Sequence, residues 1–154
     1  MLKVVIGACL TVALLVPATA LARTARTSRA TALLDAMNSV RRQHGLRPLR
    51  IDAHLERAAR SHSDAMVADD VFQHGAFGSR MLRFHVTGTV AGENLAWGTG
   101  TRGTAMGIVR AWLASPAHRA NLLRPSFDRV GVGSVVATFL GNRNANVVTA
   151  DFAG

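Results

Sequence analysis

Histidine is the residue type here best suited to chemistry near neutral pH, because its ring titrates there and its neutral form ligates metals. The chain carries six, at positions 44, 54, 62, 74, 85 and 118. No two have the His-Glu-x-x-His spacing that places a pair of imidazoles on one helix face for zinc. There is no Gly-x-Ser-x-Gly elbow, no local signature of a Ser-His-Asp triad, and no glycine loop of the phosphate-cradling kind. Three strings are more specific: Val71-Phe72-Gln73-His74-Gly75, Ala91-Gly92-Glu93-Asn94-Leu95-Ala96, and Ala111-Trp112 through Leu123, which contains Ser115-Pro116-Ala117-His118. In the last, Ser115 can cap a short helix whose first position is Pro116, where a missing N–H costs nothing. His118 then falls in the first turn. The positive end of the helix disfavours imidazolium, so a neutral ring is expected there, able to bind a cation or accept a proton.

The elements that must position these strings read as helices first and strands last. From Thr31, Leu33, Leu34, Met37 and Val40 recur at three- and four-residue steps, and Gly45 and Pro48 end that helix. Asp52 is an N-cap for a second helix, with Leu55, Ala58, Ala59, His62 and Met66 on its inner face. Residues 71–92 read as loop, interrupted by Gly75, Gly78 and Gly88, with a short strand over Leu95, Ala96 and Trp97. A third helix from Thr104 to Leu113 turns Ile108, Val109 and Trp112 inward and stops before Pro116. Val130 to Leu140 and Asn146 to Phe152 are rich in β-branched residues. The turn chemistry of Gly141-Asn142-Arg143-Asn144 joins them as an antiparallel hairpin. Helices packed on a sheet, an α+β domain, is the expected class.

Composition narrows the setting. Lys3 followed by an uncharged run from Val4 to Val16, then Pro17 and Ala20-Leu21-Ala22, has the form of a signal peptide over residues 1–22. The run is short for a transmembrane helix, which needs about 20 apolar residues, so no stable membrane span is expected after cleavage. Cys9 is the only cysteine, and with eight residues ahead of it the segment is too short for a lipoprotein site. The remainder has neither disulfide nor thiolate chemistry. Residues 23–30, Arg-Thr-Ala-Arg-Thr-Ser-Arg-Ala, read as a basic disordered spacer, and residues 31–154 as one domain. The net charge is +9, and beyond Lys3 its positive side is carried by arginine alone. Those arginines (Arg41, Arg57, Arg80, Arg102, Arg124, Arg143) are scattered and aromatic residues are only 5%, which argues against nucleic acid. An exported basic surface suits anionic wall polymers or lipid headgroups, or simply water.

Together with Ser61-His62-Ser63-Asp64-Ala65-Met66 and Phe127-Asp128-Arg129-Val130-Gly131-Val132-Gly133, the three strings resemble the CAP superfamily. This is the family of cysteine-rich secretory proteins, antigens and pathogenesis-related proteins, and the likeness is to its SCP-like bacterial branch. It runs in order from about Leu33 to Phe152. It implies a three-layer α-β-α sandwich with an antiparallel sheet and a concave cleft holding two histidines and two acids. His74 matches the first histidine, Glu93 the first acid and His118 the second histidine. The segment that carries the second acid is missing between Trp112 and His118, and Asp128 is the candidate substitute.

On that resemblance His74, Glu93 and His118 form a cleft that fits a weak zinc site, or one for another divalent cation, with open positions for water. Three functions follow: a secreted binding module for a small ligand, a lipid or sterol-like molecule or a divalent cation; a metal-dependent hydrolase with Glu93 as general base; and a wall-interaction protein whose cleft is a relic. Each residue also has a structural role to weigh. His74 and His118 can tie loops together, His62 fits a satisfied core position, and His44, His54 and His85 read as surface or cap residues. Trp97 and Trp112 suit core anchors, and Arg119 suits a carboxylate or water.

Overall fold

The computed structural model describes residues 17–154. Residues 1–16, which carry most of the expected leader, lie outside the described part. In chain order the elements are α1 (Ala18–Gln43), β1 (Arg50–Ile51), α2 (Ala53–Asp69), α3 (Phe77–Arg83), β2 (Ala91–Gly98), a 3-10 turn (Gly100–Gly103), α4 (Ala105–Ala114), α5 (Pro116–Leu122), β3 (Arg129–Phe139) and β4 (Asn142–Ala153). The sheet order is β1-β3-β4-β2. β2 and β3 run antiparallel to β4, whereas the two-residue β1 runs parallel to β3. The sheet is therefore mixed rather than wholly antiparallel, because the chain leaves α1 in the direction of β3 and adds a short edge.

Strand alternation divides the core between two layers of helix. Val130, Val132, Val148, Ala150 and Phe152 pack with Leu33, Met37 and Val40 of α1, with Ile108, Val109 and Trp112 of α4, and with Leu122 of α5. On the opposite face, Leu95, Phe139, Ala145 and Val147 meet Met66, and Ala153 meets Leu55, Ala58 and Met81. This is the three-layer α-β-α arrangement. Its closest approach is between α2 and β3. A Cβ on Gly131 would collide with the Leu55 and Glu56 backbone, and one on Gly133 with the Ala59 carbonyl.

Four local expectations change. Residues 23–30 belong to α1 and are not a loose spacer. Arg26 makes a bidentate pair with Asp64 at 2.9 and 3.0 Å, Arg29 donates to Ser134 Oγ at 3.3 Å, and Ala30 is buried. Alanine and arginine also favour helix. Second, the stretch read as loop holds α3, anchored by Met81. Third, β2 starts at Ala91, where its ladder with Ala153 begins, so Gly92, Glu93 and Asn94 are strand residues. Gly92 is small because the Phe127 ring and Asn121 Oδ1 lie against it, 3.0 and 3.1 Å from where a Cβ would stand. Arg41 is not a surface arginine. It is fully buried and donates to the carbonyls of Arg47, Leu122, Arg124 and Phe127 at 2.8–3.1 Å, which fixes the far end of α5. Burial lowers its guanidinium pKa, and four carbonyls replace the lost water.

Candidate functional site

Glu93 sits in β2 directly opposite Asp151 of β4, on the face that α2 and α3 cover. Its side chain is only 3% exposed. Arg80 comes in from α3 and pairs with Glu93 Oε2, and its guanidinium lies 3.8 Å from Asp151 Oδ1. His74 comes from the connection after α2, and its Nδ1 is 2.7 Å from Glu93 Oε1. The chain is held on both sides of that imidazole. His62 Nε2 donates to the Gln73 carbonyl at 2.9 Å, and Arg80 Nη1 donates to the His74 carbonyl at 3.2 Å. Gly75, at φ +58°, makes the turn that follows. The His74 ring itself stays 59% exposed. An open imidazole is thus seated on a closed carboxylate.

His118 is in the first turn of α5, and two asparagines dock that helix on β2. Buried Asn94 donates to the His118 carbonyl at 2.9 Å. Asn121 donates to the Glu93 carbonyl and to Asn94 Oδ1, both at 3.0 Å. The Ser115 hydroxyl makes no capping bond, although Pro116 is at the start of the helix and the Ser115 carbonyl accepts from Arg119. His118 is half-buried, and its pKa is lowered, first by burial and then by its electrostatic interaction with His74. The direction agrees with the neutral ring expected from the helix end, but its causes are burial and His74.

The acids behave as a pair. Burial raises the Glu93 pKa to about 7, against the opposing charge of Arg80. Asp151 is driven well above the ordinary carboxylate range, first by burial and then by the charge of Glu93. Both Asp151 oxygens lack a hydrogen-bond partner among the described residues, as does Arg80 Nε. Protonation gives Asp151 an O–H to donate to its cross-strand neighbour Glu93, which removes the like-charge clash. His62 is pushed down to about 4, by burial first and then by Arg80. It is a neutral core donor, in keeping with the structural role its position suggested.

His74 and Glu93 are brought into contact, and His118 is tied to the same stretch of β2 through Asn94. Asp128 is elsewhere, held by Arg50 at 2.9 Å and Arg129 at 3.5 Å, so the second acid at Glu93 is Asp151. Sequence reading missed both Asp151 and Arg80. The available signal was an acid inside the apolar β run Val147-Val148-Thr149-Ala150-Asp151-Phe152. The three-residue zinc set does not fit this arrangement. Glu93 commits Oε1 to His74 and Oε2 to Arg80, and no group of three His, Cys, Asp or Glu among the described residues is placed to hold a metal ion. No hydroxyl or thiol among the described residues is hydrogen-bonded to His62, His74 or His118 either.

This fold and these strings have relatives. The profile of the cysteine-rich secretory protein family, CAP, matches residues 34–152. The chain belongs to the CAP family. Bacillus subtilis YkwD is 37% identical over 108 residues, covering 67% of this chain and 41% of YkwD. Human Golgi-associated plant pathogenesis-related protein 1 is 30% identical over 105 residues, covering 68% of this chain and 61% of that protein. The chain therefore spans less than half of YkwD. Among solved structures, an extracellular SCP-domain protein from Bacillus anthracis superimposes with TM-score 0.70 at 27% identity, over 92% of this chain and 45% of that one. An outer surface protein from Borrelia burgdorferi shares the fold alone, with TM-score 0.69 at 22% identity over 81% of this chain and 91% of that one. This CAP domain is of the bacterial branch. Among its described residues no helix is long and apolar enough to cross a membrane.

Proposed function

We propose that this CAP domain is exported and acts at the cell envelope as a non-enzymatic binding module, with its ligand held against His74 and His118. The observation that carries the reading is the exposed His74 ring tied through Nδ1 to the buried Glu93 at 2.7 Å. A carboxylate on Nδ1 fixes the tautomer and leaves Nε2 as a basic, outward-facing acceptor. The arrangement favours binding over hydrolysis, because Glu93 is engaged at both oxygens and orients the imidazole instead of activating water. Two imidazoles and water are the most this face offers a cation, so zinc uptake is expected to be weak. Export is supported by the form of residues 1–22 and by the extracellular and outer-surface relatives.

The test follows the His74 and His118 ring resonances by NMR in titrations with zinc, a fatty acid and a short-chain phospholipid. At least one probe is expected to shift both rings saturably, and His74→Ala is expected to weaken that binding at least tenfold. If none of the three moves either ring at millimolar concentration, the module reading of this face fails.

A further inference from the structure

Four residues beyond Glu93 along the same strand, the end of β2 and the tip of the β3–β4 hairpin enclose a depression of about 510 Å³ lined by Trp97, Gly98, Thr99, Thr101, Arg102 and Asn142. We propose that it is a subsite for an anionic glycan, one that carries phosphate or carboxylate on a sugar. Trp97 is half-buried and its ring is set edge-on against the fully buried Phe139, at 5.9 Å and 76°, and Phe72 also meets Phe139 edge-on at 6.5 Å. The indole is therefore held in one orientation. Its Nε1 has no hydrogen-bond partner among the described residues, unlike that of Trp112, which donates to the Leu95 carbonyl. An aromatic face with a free N–H at its rim suits a ligand that is apolar on one side and hydroxylated on the other.

The groups around the indole are polar and uncommitted. The Arg102 guanidinium is exposed and makes no ion pair or side-chain hydrogen bond with the described residues, and the Thr99 and Thr101 hydroxyls are likewise unpaired. A planar guanidinium matches carboxylate or phosphate with two parallel bonds, which supplies the anion preference. Asn142 spends its amide N–H on the Leu140 carbonyl at 2.8 Å, so its side-chain oxygen remains to accept a hydroxyl.

The walls are also fixed before any ligand arrives. Gly98 and Gly103 touch backbone to backbone with no room for a Cβ on either, and Asn146 donates to the Gly103 carbonyl at 2.9 Å. The hairpin tip is held in a conformation that leucine seldom adopts: Leu140 has φ 48°, and its N–H donates to Asp70 Oδ1 at 2.6 Å. A strained residue persists only where its surroundings hold it, so the Asp70 contact fixes the local shape of the tip. A volume of this size lies within the usual range for small-ligand sites. A single half-buried indole differs from the serial stacking platforms that a nucleic-acid strand requires.

Binding is read on the purified protein by iodide quenching of tryptophan emission, to which Trp97 is open and buried Trp112 is closed. The probes are an oligogalacturonate as carboxylate source and a phosphomannan oligosaccharide as phosphate source. Controls are a neutral maltooligosaccharide, inorganic tripolyphosphate and oligo-dT. At least one anionic oligosaccharide is expected to protect Trp97 saturably, with affinity falling tenfold or more in Arg102→Ala and in Trp97→Phe read by calorimetry. Arg47→Ala, which removes the same charge from the α1–β1 connection, is expected to leave it within twofold. The proposal is overturned if neither anionic sugar protects Trp97. It is equally overturned if any control binds as tightly as the anionic sugars, or if Arg102→Ala and Arg47→Ala behave alike. Arg102 is exposed, so its variant keeps the fold, and circular dichroism verifies this for both binding variants.

Discussion

Asp151 is fully buried, faces Glu93 across two strands, and shares one guanidinium with it. Two carboxylates so placed do not both ionise readily, which makes the stability of the domain depend on pH against the usual direction for acids. A carboxyl whose folded pKa lies above its unfolded value contributes stability that is complete below the unfolded value and is lost as pH rises through the folded one. For Glu93 that window runs from 4.5 to about 7, and Asp151 acts in the same sense. His62 works the other way. Its depressed pKa of about 4 contributes stability that is lost as pH falls from 6.5 through that value, so the trends oppose each other in the acid half of the range. Above pH 6.5 the acids act alone. Denaturant unfolding at fixed pH is expected to show stability falling between pH 6.5 and 8, on the order of 1 kcal/mol or more. Glu93→Gln flattens that fall. A wild-type curve that is level or rising over the same interval contradicts the buried-acid account. Arg41 gives a sharper test of burial: Arg41→Ala strands four carbonyls and is expected to cost about 3 kcal/mol or more, while Arg47→Ala, exposed to water, costs less than about 0.5 kcal/mol.

At the scale of elements, the seat of α2 on the sheet depends on residues that have no side chain. Gly131→Ala or Gly133→Ala would push a methyl into the α2 backbone at Leu55 or Ala59. Backbone yields less easily than a flexible side chain, so each is expected to cost about 2–3 kcal/mol. Gly141→Ala, with open space around it but φ +75°, is expected to cost about 1 kcal/mol through backbone strain alone. Thermal unfolding of the three variants orders these effects. The same contrast explains how much was legible in the sequence. α1, α2 and α4 showed themselves because each buries a long periodic face, and the β3–β4 hairpin because its branched residues flank a turn. α3 did not, since seven residues with Gly78 among them and Met81 as the one buried residue carry no visible period. Glu93 and His74 were found through the family strings. Asp151 and Arg80 were not, because their relation to Glu93 exists only once β2 is paired in register with β4 and α3 is folded over both.

For the molecule as a whole, charge is the property with the longest reach. Asp52, Asp64 and Asp128 at the surface are each paired with an arginine, Arg129, Arg26 and Arg50 respectively, and Glu56 is paired with Arg60. With 18 basic residues against 9 acidic ones the balance is +9, and these pairs leave a surplus of arginine with no local acid. Such pairs add little to stability, about 0–1 kcal/mol each, but the unpaired remainder sets a positive field over the surface. That field draws in anionic polymers without choosing among them, and it fades as the screening length shortens from about 10 Å at 0.1 M salt to about 3 Å at 1 M. Retention on a carboxylated matrix or on purified cell wall is therefore expected at 0.05 M salt and lost below 1 M. On the carboxylated matrix, which offers no sugar to the Trp97 depression, Arg47→Ala and Arg102→Ala are expected to elute together, since each removes one unit of the same surplus. Retention that survives 1 M salt, or that Arg102→Ala alone abolishes, would mean that a built contact and not the general field holds the protein to the wall.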